Sequence, residues 1–203
     1  MKCKAPEKRF YDDLRYLNGL FLDLVLEAGA PSAAAGLEPA VRAQLVGLSP
    51  RQRAYIAGTP VLLAGFAPVQ ARHVAEHALP VAESADDRAW WQAAELFSAA
   101  LMTYLWQVAR EDRLNTTLCI GPATEEVDRY RDDAWLSVES ADSRAARRLR
   151  ARFADRPRFW PDLICAARMD DTWCGRVSRL AALPQMLAGL RPSGRSLRQA
   201  RVC

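Results

Sequence analysis

Apolar residues recur at three- and four-residue spacing along most of this 203-residue chain, the pattern of amphipathic helices. The first stripe runs Leu14, Leu17, Leu20, Phe21, Leu24, Val25 and ends among Gly29, Pro31 and Gly36. Pro39, suited to a first helical turn, opens a second helix through Val41, Leu45 and Val46, which Gly47 closes. Ser49-Pro50-Arg51-Gln52 reads as a capping box, with Ser49 as N-cap and Gln52 reaching back. The helix it opens carries Tyr55 and Ile56 and stops at Gly58-Thr59-Pro60. Val61-Leu62-Leu63-Ala64-Gly65-Phe66 follows, a short apolar run that periodicity assigns equally to a buried strand or to core filler.

The pattern then begins again. Pro68 to Leu79 has the spacing of a short helix, and Pro80 to Asp87 reads as a loop. Ser84 is placed as an N-cap, with Asp86 and Asp87 in the first turn, where the helix dipole favours them. A long helix is expected over 88–110, with the stripe Trp91, Ala94, Leu101, Tyr104, Leu105, Val108. Gly121-Pro122 breaks the chain, and a helix from Thr124 carries Val127, Tyr130 and Ala134. Trp135-Leu136-Ser137 reads as a turn, and a further helix is expected over 140–152, closed by Phe153. Two helical stretches follow near 162–169 and 173–189. Residues 191–203 hold four Arg and little apolar area, and are expected to form a disordered basic tail.

The two halves repeat one another. Shifted by 84, Leu17, Leu20, Phe21, Leu24 and Val25 fall on Leu101, Tyr104, Leu105, Val108 and Ala109. Gly36 falls beside Gly121, and Leu48-Ser49 and Phe66 fall on Trp135-Leu136 and Phe153 at an offset of 87. The drift of three residues is taken up in the glycine-proline links, where insertions are tolerated. Each unit is a long helix, a glycine-containing link, a short helix, a turn, another short helix and a closing apolar segment. The expected organisation is a first unit over 1–80, a second over 81–155, a helical extension over 156–190 and the tail over 191–203.

This unit resembles the flagellar transcriptional regulator FlhD family. The first copy resembles it through Leu17-Asn18-Gly19-Leu20-Phe21-Leu22, Gly36-Leu37, Gly47-Leu48-Ser49-Pro50-Arg51-Gln52, Ile56-Ala57-Gly58-Thr59 and Phe66. The second does so through Tyr104-Leu105-Trp106-Gln107-Val108-Ala109-Arg110-Glu111-Asp112-Arg113, Ile120-Gly121 and Thr124-Glu125-Glu126-Val127. Together the copies cover about half the chain. That family carries one unit per chain and pairs two chains, so the resemblance implies an all-α, fused pseudo-dimer. Its members act through a zinc-bearing DNA-binding partner, FlhC, which implies a protein partner here, a DNA-binding transcription subunit being one choice. No four-cysteine zinc site occurs in this sequence.

Composition changes the picture in one respect. Half the residues are hydrophobic and 26% are charged, which excludes global disorder, and no apolar stretch is long enough for a membrane span. The net charge of +4 conceals an asymmetry: residues 1–143 carry 14 Lys and Arg against 20 Asp and Glu, residues 144–203 carry 14 Arg against 4 Asp. Arg144, Arg147, Arg148, Arg150 and Arg152 are therefore the candidate contacts for nucleic acid or an acidic partner. The alternative is a solvated helix face around Leu149 and Phe153. Phe159 and Trp160, between Pro157 and Pro161, are candidate partner contacts or, alternatively, a core plug.

Chemical motifs are sparse. His73-Val74-Ala75-Glu76-His77 matches H-x-x-E-H, whose two imidazoles share a helix face and can chelate zinc, but no third ligand accompanies it. These are the only histidines, and no phosphate-binding glycine loop is present. The five cysteines, at irregular spacing, are a poor disulfide framework, and Cys165 and Cys174 are expected as core thiols. The N-terminus lacks a signal-peptide apolar region, and a cytoplasmic location is expected. Arg42, Arg51 and Arg53 around Gly47 have the length of a helix-turn-helix, though too few polar side chains to read bases, which favours a structural corner. The expectation is a non-enzymatic regulatory or adaptor protein with no cofactor and no metal. The alternatives are a helical scaffold or secretion chaperone and, more remotely, a metal hydrolase.

Overall fold

The computed structural model of the chain describes residues 8–27, 30, 34–67, 85–111, 116 and 144–169. These form α1 (Lys8–Leu26), a single 3-10 turn (Ala34–Gly36), α2 (Pro39–Val46), α3 (Pro50–Ala57), β1 (Ala64–Phe66), α4 (Ala85–Glu111), α5 (Arg144–Arg148), β2 (Leu149–Ala151) and α6 (Phe159–Arg168). The described part is thus mainly helical, with one two-stranded antiparallel sheet. Expectations for 68–79, 124–137, 173–189 and 191–203, and for Ser84, His73 and His77, lie outside the described residues.

Helix α1 buries Phe10, Leu14, Leu17, Phe21 and Leu24 along one seam, with Asn18, Leu22 and Val25 beside it. Its C-terminus has no basic residue in the last turn to offset the orphan carbonyls. Distant residues satisfy them instead. The Trp90 indole N–H donates to Leu24 O at 2.9 Å. Arg42 donates through Nε to Val25 O and through Nη2 to Glu27 O, both at 2.9 Å. Helices α2 and α4 are thereby tied to the end of α1.

The capping box at α3 forms as the sequence predicts. Ser49 Oγ accepts from the Gln52 backbone N–H at 3.3 Å, and Gln52 Oε1 accepts from the Ser49 N–H at 2.9 Å. Past Gly58 the chain becomes irregular and buried, and here Asn18 organises it. Its Nδ2 donates to Ala57 O (3.1 Å), Thr59 O (3.3 Å) and Val61 O (2.8 Å), while its Oδ1 accepts from the Leu63 N–H at 2.8 Å. Asn18 is fully buried, so one side chain replaces the water that this segment's backbone would otherwise need. The segment left open between strand and filler is both: Val61 to Leu63 fill the core and Ala64–Phe66 is a strand.

Strand β1 pairs with β2 in the register Ala64 to Ala151, Gly65 to Arg150 and Phe66 to Leu149. Flanking bonds run from Arg152 N–H to Leu63 O at 2.7 Å and from Ala67 N–H to Arg148 O at 2.8 Å. The helix expected over 140–152 is corrected here: α5 stops at Arg148 and a strand follows. The physical reason is the alternation Arg148-Leu149-Arg150-Ala151-Arg152, period two rather than 3.6, which buries Leu149 and Ala151. Phe153, in the turn after β2, has φ of 60° and turns the chain back toward α6.

Helix α6 begins at Phe159, and Pro161 falls in its first turn, where a missing N–H leaves no bond unmade. It packs against α2 and α3, while α4 packs against α1 and α5. Phe21 meets Phe97 with ring centroids 5.9 Å apart. The stripe of α4 differs in part from that expected: Trp90, Phe97 and Met102 are buried, while Trp91 and Tyr104 are only half-buried against the core. Residues of α1 to α3, α4, α5, β2 and α6 share one buried cluster, from Phe10 through Leu101 and Leu105 to Ala167. No helix among the described residues is long and apolar enough to cross a membrane.

Candidate functional site

The arginine segment reaches its surroundings through backbone carbonyls. Arg147 is exposed, but Arg148 is half-buried and its Nε donates to Ala67 O at 3.0 Å. Arg152 donates to Leu62 O at 3.3 Å, and its guanidinium lies over the Phe153 ring, 4.8 Å from the centroid. Arg150 donates to Leu149 O (2.8 Å) and Arg147 O (3.1 Å). The aliphatic stems are also engaged. A Cβ at Gly36, where φ is +65°, would lie 3.2 Å from Arg150 Cδ, and one at Gly65 would lie 3.0 Å from Arg152 Cγ. Both glycines thus leave room for an arginine stem. Arg144 falls in α5 at its first residue, and its side chain lies outside the description.

Four of the five arginines are therefore brought together, but Arg148 and Arg152 clamp β2 onto the residues flanking β1, while Arg150 bonds back to its own segment with its stem beside Gly36. Sequence reasoning took the charge for a helix face. The period-two alternation was the signal for a strand.

Phe159 and Trp160, the candidate partner contacts, are buried in the described fold, as a core plug would be. The Trp160 indole N–H donates to Arg152 O at 3.0 Å, and Phe159 stacks on Phe153 at 4.3 Å between centroids. Cys165, expected as a core thiol, is instead exposed on α6, because Ile164, Ala166 and Ala167 take the inward face. Among the described residues no group of three or more His, Cys, Asp or Glu is placed to hold a metal ion.

The α2–α3 corner is a structural element. Arg42 is spent on α1 and Gln52 on the capping box, leaving Arg51 exposed at the start of α3. Between α3 and α1 runs an open groove of about 580 Å³. Asp12, Arg15, Tyr16, Gly19 and Asp23 line it from α1, and Arg53 stands on the α3 side. Tyr16 is 67% exposed. Among the described residues, Arg53 Nε is buried with no hydrogen-bond acceptor, and an added Cβ at Gly19 would meet nothing within 4 Å. Sequence reasoning named Arg53 only with the corner and passed over the α1 residues, since an exposed polar face carries no periodic apolar signal.

No protein-family model, curated protein or solved structure matches this chain.

Proposed function

We propose that this chain is a non-enzymatic regulatory adaptor, a pseudo-dimer of two FlhD-like units in one polypeptide, acting through a protein partner. The observation that carries the reading is the register of the sheet. The closing segments of the two copies align at an offset of 87 residues, Phe66 with Phe153. Ala64 pairs with Ala151, and these two are also 87 residues apart. In a duplicated chain whose halves pair about a two-fold axis, the residues facing each other on that axis are equivalent, so their separation equals the repeat offset. The pair Gly65–Arg150 and the bond between Arg152 and Leu63 then exchange with one another. The sharing of one core by the stripes of α1 and α4 supports the same reading.

A protein partner is favoured over direct DNA contact because Arg148, Arg150 and Arg152 already donate to backbone carbonyls. Arg147 alone of the five is described as an exposed side chain. The reading assigns no catalytic residue and no cofactor, and it takes the cytoplasm as the site of action.

Affinity capture with the full chain from its native host, followed by mass spectrometry, tests the role. Stoichiometric recovery of a transcription subunit supports it, whereas recovery of a secreted or assembling client favours the scaffold alternative. A fluorescence anisotropy titration at two salt concentrations tests DNA contact separately. The expected outcome is no sequence-independent binding near physiological salt. Binding that weakens steeply with salt, and whose slope falls by about one per Arg→Ala substitution at 147, 148, 150 or 152, would restore the arginine segment as a phosphate surface.

A further inference from the structure

The groove between α1 and α3 has a feature that packing among the described residues leaves unexplained. Glycine is among the poorest residues for a helix interior, yet Gly19 sits in the middle of α1 with open space above it. A small residue there permits close approach by another backbone, not by any described part of this chain. On the same side of the helix, Asp12, Tyr16, Gly19 and Asp23 recur at four- and three-residue spacing, the seam of a helix pair.

The charges around Gly19 are self-complementary. Arg15 lies four residues before it and Asp23 four residues after. In an antiparallel crossing centred on Gly19, residues equidistant from the centre face each other across the seam. Two identical helices so crossed bring each Arg15 opposite Asp23 of the other chain, giving two ion pairs related by a two-fold axis. Among the described residues neither side chain is ion-paired, the described pair on α1 being Arg9 with Asp13. Arg53 lines the α3 side of the groove, and an incoming α1 bearing Asp12 and Asp23 brings carboxylates toward that guanidinium. Two Asp and two Arg line the groove, so its net charge selects neither a strongly basic nor a strongly acidic partner.

We propose that this groove seats α1 of a second copy of the chain, crossing antiparallel at Gly19, with reciprocal Arg15–Asp23 pairs. The pairing involves the outward face of α1 and does not depend on the regulatory role.

Sedimentation equilibrium of the full chain tests it. The wild type is expected to be a reversible dimer. Arg15→Asp and Asp23→Arg should each weaken association by about tenfold or more, because each places like charges opposite one another twice. The double reversal Arg15→Asp/Asp23→Arg should restore the wild-type constant to within about threefold. Gly19→Leu should yield a monomer with unchanged helical circular dichroism, since the site is open among the described residues. A monomeric wild type across the accessible concentration range overturns the proposal and leaves the groove to a partner of different chemistry. A dimer insensitive to either single reversal, or not rescued by the double one, overturns it as well.

Discussion

Replacing Asn18 tests how the segment after α3 is held. The Asn18→Ala variant removes one side chain that serves three carbonyls and one N–H, those of Ala57, Thr59, Val61 and Leu63, all in buried residues. Two amide hydrogens cannot serve three acceptors fully, so the bonds that matter most are the two at 2.8 Å, to Val61 O and from Leu63 N–H. Leaving a buried backbone group unsatisfied costs about 1–3 kcal/mol, and the vacated volume adds about 1 kcal/mol. The expected loss is about 3–5 kcal/mol, a third or more of the stability of an ordinary domain. For a chain of this size that lowers Tm by about 10 °C.

Urea denaturation followed by circular dichroism measures this loss, and Asn18→Leu separates its parts. Leucine keeps the branched shape with larger methyl ends and makes no bond, so it should recover at most the cavity contribution. Asn18→Asp keeps the acceptor for Leu63 while directing a carboxylate at three carbonyls. Burial and those carbonyls raise its folded-state pKa above the unfolded value of about 3.9. Its deficit should therefore grow as pH rises above that unfolded value and shrink as acid restores a neutral, donating carboxyl. An Asn18→Ala loss below about 1 kcal/mol, or an Asn18→Asp deficit that does not depend on pH, would refute the assignment of Asn18 as the organiser of this segment.

Trp90→Phe removes the indole donor to Leu24 O while leaving most of the ring, and should cost about 1–2 kcal/mol in the same assay. Gly19→Ala should raise the stability of the monomer by about 0.5–1 kcal/mol through helix propensity, measured at concentrations below dimer formation, and should weaken association of two copies.

Much of the secondary structure was legible in the sequence because it rests on local chemistry. Pro39 and Gly47 bound α2, and Ser49 with Gln52 sets the start of α3, through bonds between residues three apart. The stripe of α1 announces its buried face, since 3.6-residue periodicity and burial are the same fact read twice. Trp90 and Trp91 show the limit of such reading. Neighbouring residues differ by about 100° on the helix, and only the position of α1 selected which indole points inward.

The tertiary structure decided the rest. Composition registered the arginines of 148–152 as charge, but pairing with a strand some 85 residues away made them clamps rather than a solvated face. That outcome depends on carbonyls at Leu62 and Ala67, which flank β1, and on Gly36 and Gly65 leaving room for the stems. Asn18 looks in sequence like one polar residue among apolar neighbours, and its role exists only once Ala57 to Leu63 wraps over it. Hydrophobic periodicity records which face of an element is buried, because that depends on neighbours along the chain. It does not record the partner that covers the face, because contact between distant segments depends on how the whole chain packs.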